Sequence, residues 1–256
     1  MVALAAMLLH CGAATWAADA ATQGAAAEFN PPTAPAGNPT IESAIAQLDS
    51  PKYAIRDWAQ HFLMRQSPDD LPTIEKALES ATDAETVMRL NYVAAHLFLK
   101  GRTQFDGRAS LLGISLGIES AHLGQPNGDG RVVVAVTDLQ PGFPAAEVLR
   151  PGDRILAINS EPLPSDTTVE SFRQHVNAAL PGTVMRLQIL RGREQSQVSV
   201  RLAGVPEEGA EAIQNFVRLR LAAAKGYLES IRSTHESPVI IHTSEENDAP
   251  PIPAPD

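Results

Sequence analysis

Residues 141–163 read PGFPAAEVLRPGDRILAINSEPL, and the order of their parts decides the fold of the middle of the chain. Pro144 opens a short helix that runs to about Val148, because its missing N–H costs nothing at a helix start. Pro151, Gly152 and Asp153 then bring turn chemistry, and Asp153–Ile158 (DRILAI) is a strand rich in branched residues. Asn159, Ser160 and Glu161 make the next turn.

Working outward, the same period of two recurs. Arg131–Val136 (RVVVAV), Val184–Leu190 (VMRLQIL) and Gln197–Leu202 (QVSVRL) are strand candidates bounded by Gly, Pro, Asp or Asn. A second helix begins at Val169, behind a capping box of Thr167 and Glu170, with Phe172, Val176 and Leu180 as its apolar face. The expected product is a small, partly open β-sandwich with two helices at its openings.

These residues resemble a PDZ domain of the bacterial HtrA-protease type, over roughly Gly107 to Leu202. Leu111, Leu112, Gly113 and Ile114 resemble that family's carboxylate-binding loop, with Leu111 where the family has an aromatic residue or glycine. The run 141–163 is similar to its central signature, and TVESFRQHVNAALPGTVMRLQILRGRE (168–194) to its second helix, Pro-Gly turn and hairpin. One departure is visible: Val148 runs directly into Leu149, one residue short of the family's Ala-Gly-Leu.

The resemblance implies a groove that captures peptides by strand addition. Gly113 lets the backbone curl so that successive N–H groups converge on an anionic chain end. The strand after it, Ile114, Ser115 and Leu116 onward, leaves one edge unpaired beside the second helix, where an extended peptide adds itself. Leu112, Ile114 and Leu116 with Val169, Phe172, Arg173 or Val176 are the pocket candidates; the helix turns either Phe172 and Val176 or Val169 and Arg173 to the groove. Asp153 reads as a structural turn residue. Arg108 is a solvated charge or a second holder of the carboxylate. Gly113→Val is expected to block binding with the module still folded.

The flanks are helical. Within 40–100, Ile41, Ala44, Ile45 and Leu48 recur at helical spacing, as do Ala54, Trp58 and Phe62, then Leu71, Ile74 and Leu78, then Val87, Leu90, Val93 and Leu97. Ser50–Pro51, Ser67–Pro68–Asp70 and Thr82 with Glu85 are the cap signals. The segment loosely resembles HEAT-like repeats, with a plain four-helix bundle as the alternative; either must dock its stripes on something. Downstream, Ile213, Val217, Leu221, Ala224, Leu228 and Ile231 draw one stripe along a helix within 206–233, weakened at Gly226 by about 1 kcal/mol relative to alanine. That stripe is expected to pack back on the N-terminal helices or the side of the central module, with self-association as the alternative.

The expected plan is therefore α+β and multidomain: a helical domain over 40–100, a PDZ-like domain over 105–203, and an amphipathic helix over 206–233. Residues 1–20 read as a signal peptide ending in Ala18, Asp19 and Ala20, although no basic residue precedes the apolar run and His10 interrupts it. An uncleaved leader would instead be an anchor, which leaves membrane contact open. Residues 21–39 are a linker and 234–256 a Pro-rich acidic tail, both too poor in large apolar residues to repay ordering.

Composition narrows the function. Twenty Lys and Arg against thirty Asp and Glu give a net charge of −10, which opposes nucleic-acid binding. The sole cysteine, Cys11, sits in the leader, so no internal disulfide forms. No nucleophile turn, phosphate loop or His-Glu-x-x-His motif is present, and His61 and His96 read as helix-surface or core-edge residues. His122, His175, His235 and His242 fall in no ligand pattern. The expectation is an exported, periplasmic or envelope adaptor that binds proteins or peptides with free apolar C-termini, without cofactor, metal or catalytic residues. A structural role of the helical flanks and an unrecognised hydrolase are the alternatives.

Overall fold

The computed structural model describes residues 38–121 and 131–235; the expected leader, nearly all of the expected linker and the tail beyond 235 lie outside them. The helical region holds α1 (Ile41–Gln47), α2 (Tyr53–Met64), α3 (Leu71–Ser80) and α4 (Ala84–Lys100). Ser67 caps as expected, accepting from Asp69 N while Asp70 Oδ2 accepts from Ser67 N, but on a single 3-10 turn that leads into α3. Two other caps are displaced. α2 starts after Lys52 rather than at Ser50, which accepts only a long bond of 3.4 Å from Lys52 N, and α4 is capped by Asp83, one residue after Thr82. Asp is as good a cap as Thr, and Asp83 takes the role in α4 by accepting from Thr86 N, whereas α2 starts without a side-chain cap.

The strands follow in the expected order. β1 (Ala109–Leu111) and β8 (Ala203–Val205) form a small two-stranded sheet. β2 (Ile114–Ala121), β3 (Arg131–Leu139), β4 (Arg154–Ile158), β6 (Val184–Arg191) and β7 (Glu194–Arg201) form the main sheet in that spatial order, with β5 (Glu161–Pro162) pairing β4. All ladders are antiparallel, and β3 bulges opposite Ser115 and Leu116, whose partners are Asp138 and Val136. Alternation is clean in the hairpin of β6 and β7: Met185, Leu187 and Ile189 face inward with Val198 and Val200. β3 instead is buried continuously from Val133 to Val136, because both its faces are covered.

α5 (Ala145–Val148) and α6 (Val169–Ala178) close the ends of the sheet. α5 ends on Leu149 in extended conformation (φ −90°, ψ 164°) and fully buried, so the shortened sequence there needs no glycine. The α6 capping box is formed by Thr168 and Ser171, one residue later than Thr167 and Glu170; Thr167 bonds the Pro164 carbonyl instead. α7 (Ala210–His235) starts four residues later than expected, after a bend that ends on Gly209 at φ +102°, and it runs unbroken through Gly226.

One apolar core joins the helices to the sheet. Leu48, Leu63, Leu90 and Leu97 belong to the same buried cluster as Val134, Leu149, Ile155 and Leu187. The stripes of the N-terminal helices thus find their partner in the sheet-bearing segment, which removes their apolar surface from water. Polar ties reinforce the joint: Arg150 pairs with Asp57 and Lys100 Nζ lies 2.9 Å from Glu147 Oε1.

Candidate functional site

The loop between β1 and β2 consists of Leu112 and Gly113, outside both ladders. Leu112 is buried in the main core and pins the loop from below. Gly113 has φ +75°, and a Cβ there would meet Phe143 atoms at 2.3, 2.4 and 2.5 Å. No side chain fits without displacing that ring. The expectation that Gly113→Val leaves the fold intact is therefore corrected: the substitution strains the backbone and overpacks the core together.

Phe143 closes a segment that backs the loop. Gln140 N donates to Gly113 O at 2.8 Å, and residues 139–143 are gripped from behind by α4 and the turn that follows it. Tyr92 Oη donates to Leu139 O at 3.0 Å, Thr103 Oγ1 to Gly142 O at 2.7 Å, and Gly142 N donates to His96 Nδ1 at 3.0 Å. His96 is thus not a surface or core-edge residue but fully buried. Because its Nδ1 accepts, its proton sits on Nε2, 3.5 Å from Glu147 Oε1. Burial pushes its pKa below the ordinary histidine value, against the opposing pull of Glu147. From α7, Arg220 reaches over the Phe143 ring (4.8 Å to its centroid) and donates to Leu99 O at 3.1 Å and Thr103 Oγ1 at 2.6 Å. Burial, then the charge of Arg102, lower its pKa to about 10, so it is a cation at neutral pH.

β2 pairs only with β3 among the described residues, which leaves its outer edge free. Beside it lies α6, held to β1 by a bond of 2.8 Å from Ser110 Oγ to Ala179 O. A cavity of about 450 Å³ occupies the space between them, in the range of sites that take small ligands or peptide side chains. The structure brings Leu111, Leu112, Gly113, Ile114, Ser115 and Leu116 to this cavity from the loop and strand, and Phe172, Arg173 and Val176 from the helix. Phe172 and Val176 also enter the core, so core-facing and groove-facing are not exclusive here. Val169 does not line the cavity; Glu170 and Asn177 do. Arg108 is exposed and borders a different depression, with Pro181 and Gly209.

The wall that sequence reasoning missed is α7. Ala210, Ile213, Gln214, Val217, Arg218 and Leu221 line the same cavity, while Ala224 and Leu228 pack on Ala95, Phe98 and Leu99 of α4. The Phe98 and Tyr227 rings stack 4.2 Å apart, and Tyr227 Oη donates to Glu75 at 2.6 Å. The predicted single stripe therefore splits: its second half docks and its first half stands over the groove. Its regular spacing was the available signal, but spacing alone does not say what a stripe faces.

Asp153 is nearly inaccessible. It accepts from Arg150 N at 2.8 Å, which closes the turn, and from Arg191 Nε and Nη2 at 2.7 and 2.6 Å. Its role is structural. The turn after β4 puts Asn159 and Ser160 at φ 50° and 73°, the conformation a Gly prefers at the second position. No group of three or more His, Cys, Asp or Glu placed to hold a metal occurs among the described residues.

Comparison with known proteins adds a sequence-level finding. A family model described as PDZ domain matches residues 110–202, and no curated protein matches the chain. Among solved structures, a variant of the HtrA-type protease AlgW with decapeptide is similar at 23% identity and TM-score 0.32, covering 40% of this chain and 31% of that one. AlgW with decapeptide is similar at 19% identity and TM-score 0.30, covering 48% and 35%. This chain thus spans about a third of the length of those proteases. The free edge of β2, the Leu112–Gly113 loop, α6 and the family match together identify residues 110–202 as a PDZ domain.

Proposed function

We propose that the chain is a non-catalytic adaptor that captures C-termini or extended segments of other proteins by strand addition on β2. The observation that carries this reading is the free edge of β2 among the described residues, bordering a largely apolar cavity that the Leu112–Gly113 loop also lines. An extended chain laid there gains main-chain hydrogen bonds from the edge, while its alternate side chains enter the cavity. Leu112, Ile114, Leu116, Phe172 and Val176 favour apolar side chains, and a terminal carboxylate takes the loop N–H groups without any lysine. The leader-like composition of Met1–Ala20 supports an envelope setting for this adaptor.

The test is titration of the full chain with labelled peptides that end in an apolar residue, each as the free acid and as the C-terminal amide. Saturable binding of the acid, weakened roughly tenfold or more by amidation, is the expected result. A peptide library that gives no saturable binding at millimolar concentration would refute the proposal.

A further inference from the structure

We infer that α7 is a third wall of the groove, so that the segment recognised carries apolar residues at consecutive, not alternate, positions before its free carboxylate. This rests on the strand-addition reading above. A strand on a sheet edge projects successive side chains to opposite sides. A groove made of β2 and α6 alone would read one set and leave the other in water. Here Ile213, Val217 and Leu221 border the same cavity, and in this reading they take the set that would otherwise be solvated.

Length and charge fit that occupant. Three residues spaced by four cover roughly 12 Å of helix, which is the length of three to four strand residues. Arg173 and Arg218 both line the cavity against one carboxylate, Glu170, and neither arginine forms an ion pair among the described residues, so the charge balance favours a chain end bearing a carboxylate. α7 does not itself fill the groove. The cavity of about 450 Å³ remains beneath it, and Leu221 keeps 39% of its surface exposed. The helix is held off the groove by its other half, through Ala224, Tyr227 and Leu228.

The experiment compares two peptide series on the full chain, both with a free apolar C-terminal residue. One has apolar residues at its last four positions, the other has serine at the second and fourth from the end. The wild-type chain is expected to prefer the consecutive series by roughly tenfold or more. In Val217→Asp, and separately in Ile213→Ser, that preference is expected to fall within about threefold, with unchanged thermal unfolding as the folding control. Equal affinities for the two series in the wild type would overturn the inference and leave strand addition standing. Binding of neither series would overturn both, and tighter binding of either variant to both series would make α7 a lid instead of a wall.

Discussion

Replacing Gly113 by alanine tests the loop at the point where backbone and core constraints coincide. At φ +75° an L-residue pays about 1–2 kcal/mol relative to glycine. The added Cβ would lie 2.3 Å from Phe143 Cγ, and relief of such overpacking costs about 1–3 kcal/mol more. The sum is about 2–5 kcal/mol, a large part of a typical domain stability of about 5–15 kcal/mol. Gly117, four residues further on in β2, is the control. Its nearest contact for a Cβ is Thr137 Cγ2 at 3.5 Å, an ordinary van der Waals distance, so Gly117→Ala should shift stability by less than about 1 kcal/mol. Urea unfolding of both variants reads the difference: with a slope near 2 kcal/mol/M, Gly113→Ala lowers the midpoint by about 1–2.5 M. Equal midpoints for the two variants would refute the steric account of the loop, and with it the claim that Phe143 sets its shape.

Asp153→Ala removes the buried carboxylate that accepts from Arg150 N and from Arg191, so a loss of about 3–5 kcal/mol is expected by denaturant unfolding; a loss under about 1 kcal/mol would show these bonds to be dispensable. The lowered pKa values of His61 and His96 make the unfolded chain bind more protons than the folded one once the pH drops below the ordinary value of 6.5. Stability is therefore full above that pH and falls as the pH drops from 6.5 toward the folded values, by at most about 1.4 kcal/mol per pH unit per histidine. His96→Asn, which keeps an acceptor for Gly142 N, should flatten part of that slope between pH 7 and 5 in thermal melts, and an unaltered slope would exclude His96 as its source. Ser160→Gly should raise the melting temperature, because glycine removes about 1 kcal/mol of strain at φ 73°; a lowered melting temperature would contradict the turn geometry.

Local pattern was enough to place the sheet-bearing segment and several helix caps. Alternation in 184–201, the Pro-Gly-Asp turn at 151–153 and the caps near Ser67 and Thr168 act over a few residues, where side-chain chemistry and backbone preference are local. Helix starts moved by one to four residues, as in α2, α4 and α7, because neighbouring residues compete for the same cap or, before α7, a bend runs on to Gly209 at φ +102°. Where the stripes go is set by contacts between segments far apart in the chain. That Ile213, Val217 and Leu221 border the groove while Ala224 and Leu228 dock on α4 depends on contacts such as Arg220 to Leu99, 121 residues apart. The burial of His96 against Gly142 and of Phe143 against Gly113 has the same origin. An amphipathic helix specifies that one side must leave water, and its partner is chosen by which surfaces the folded chain brings within reach.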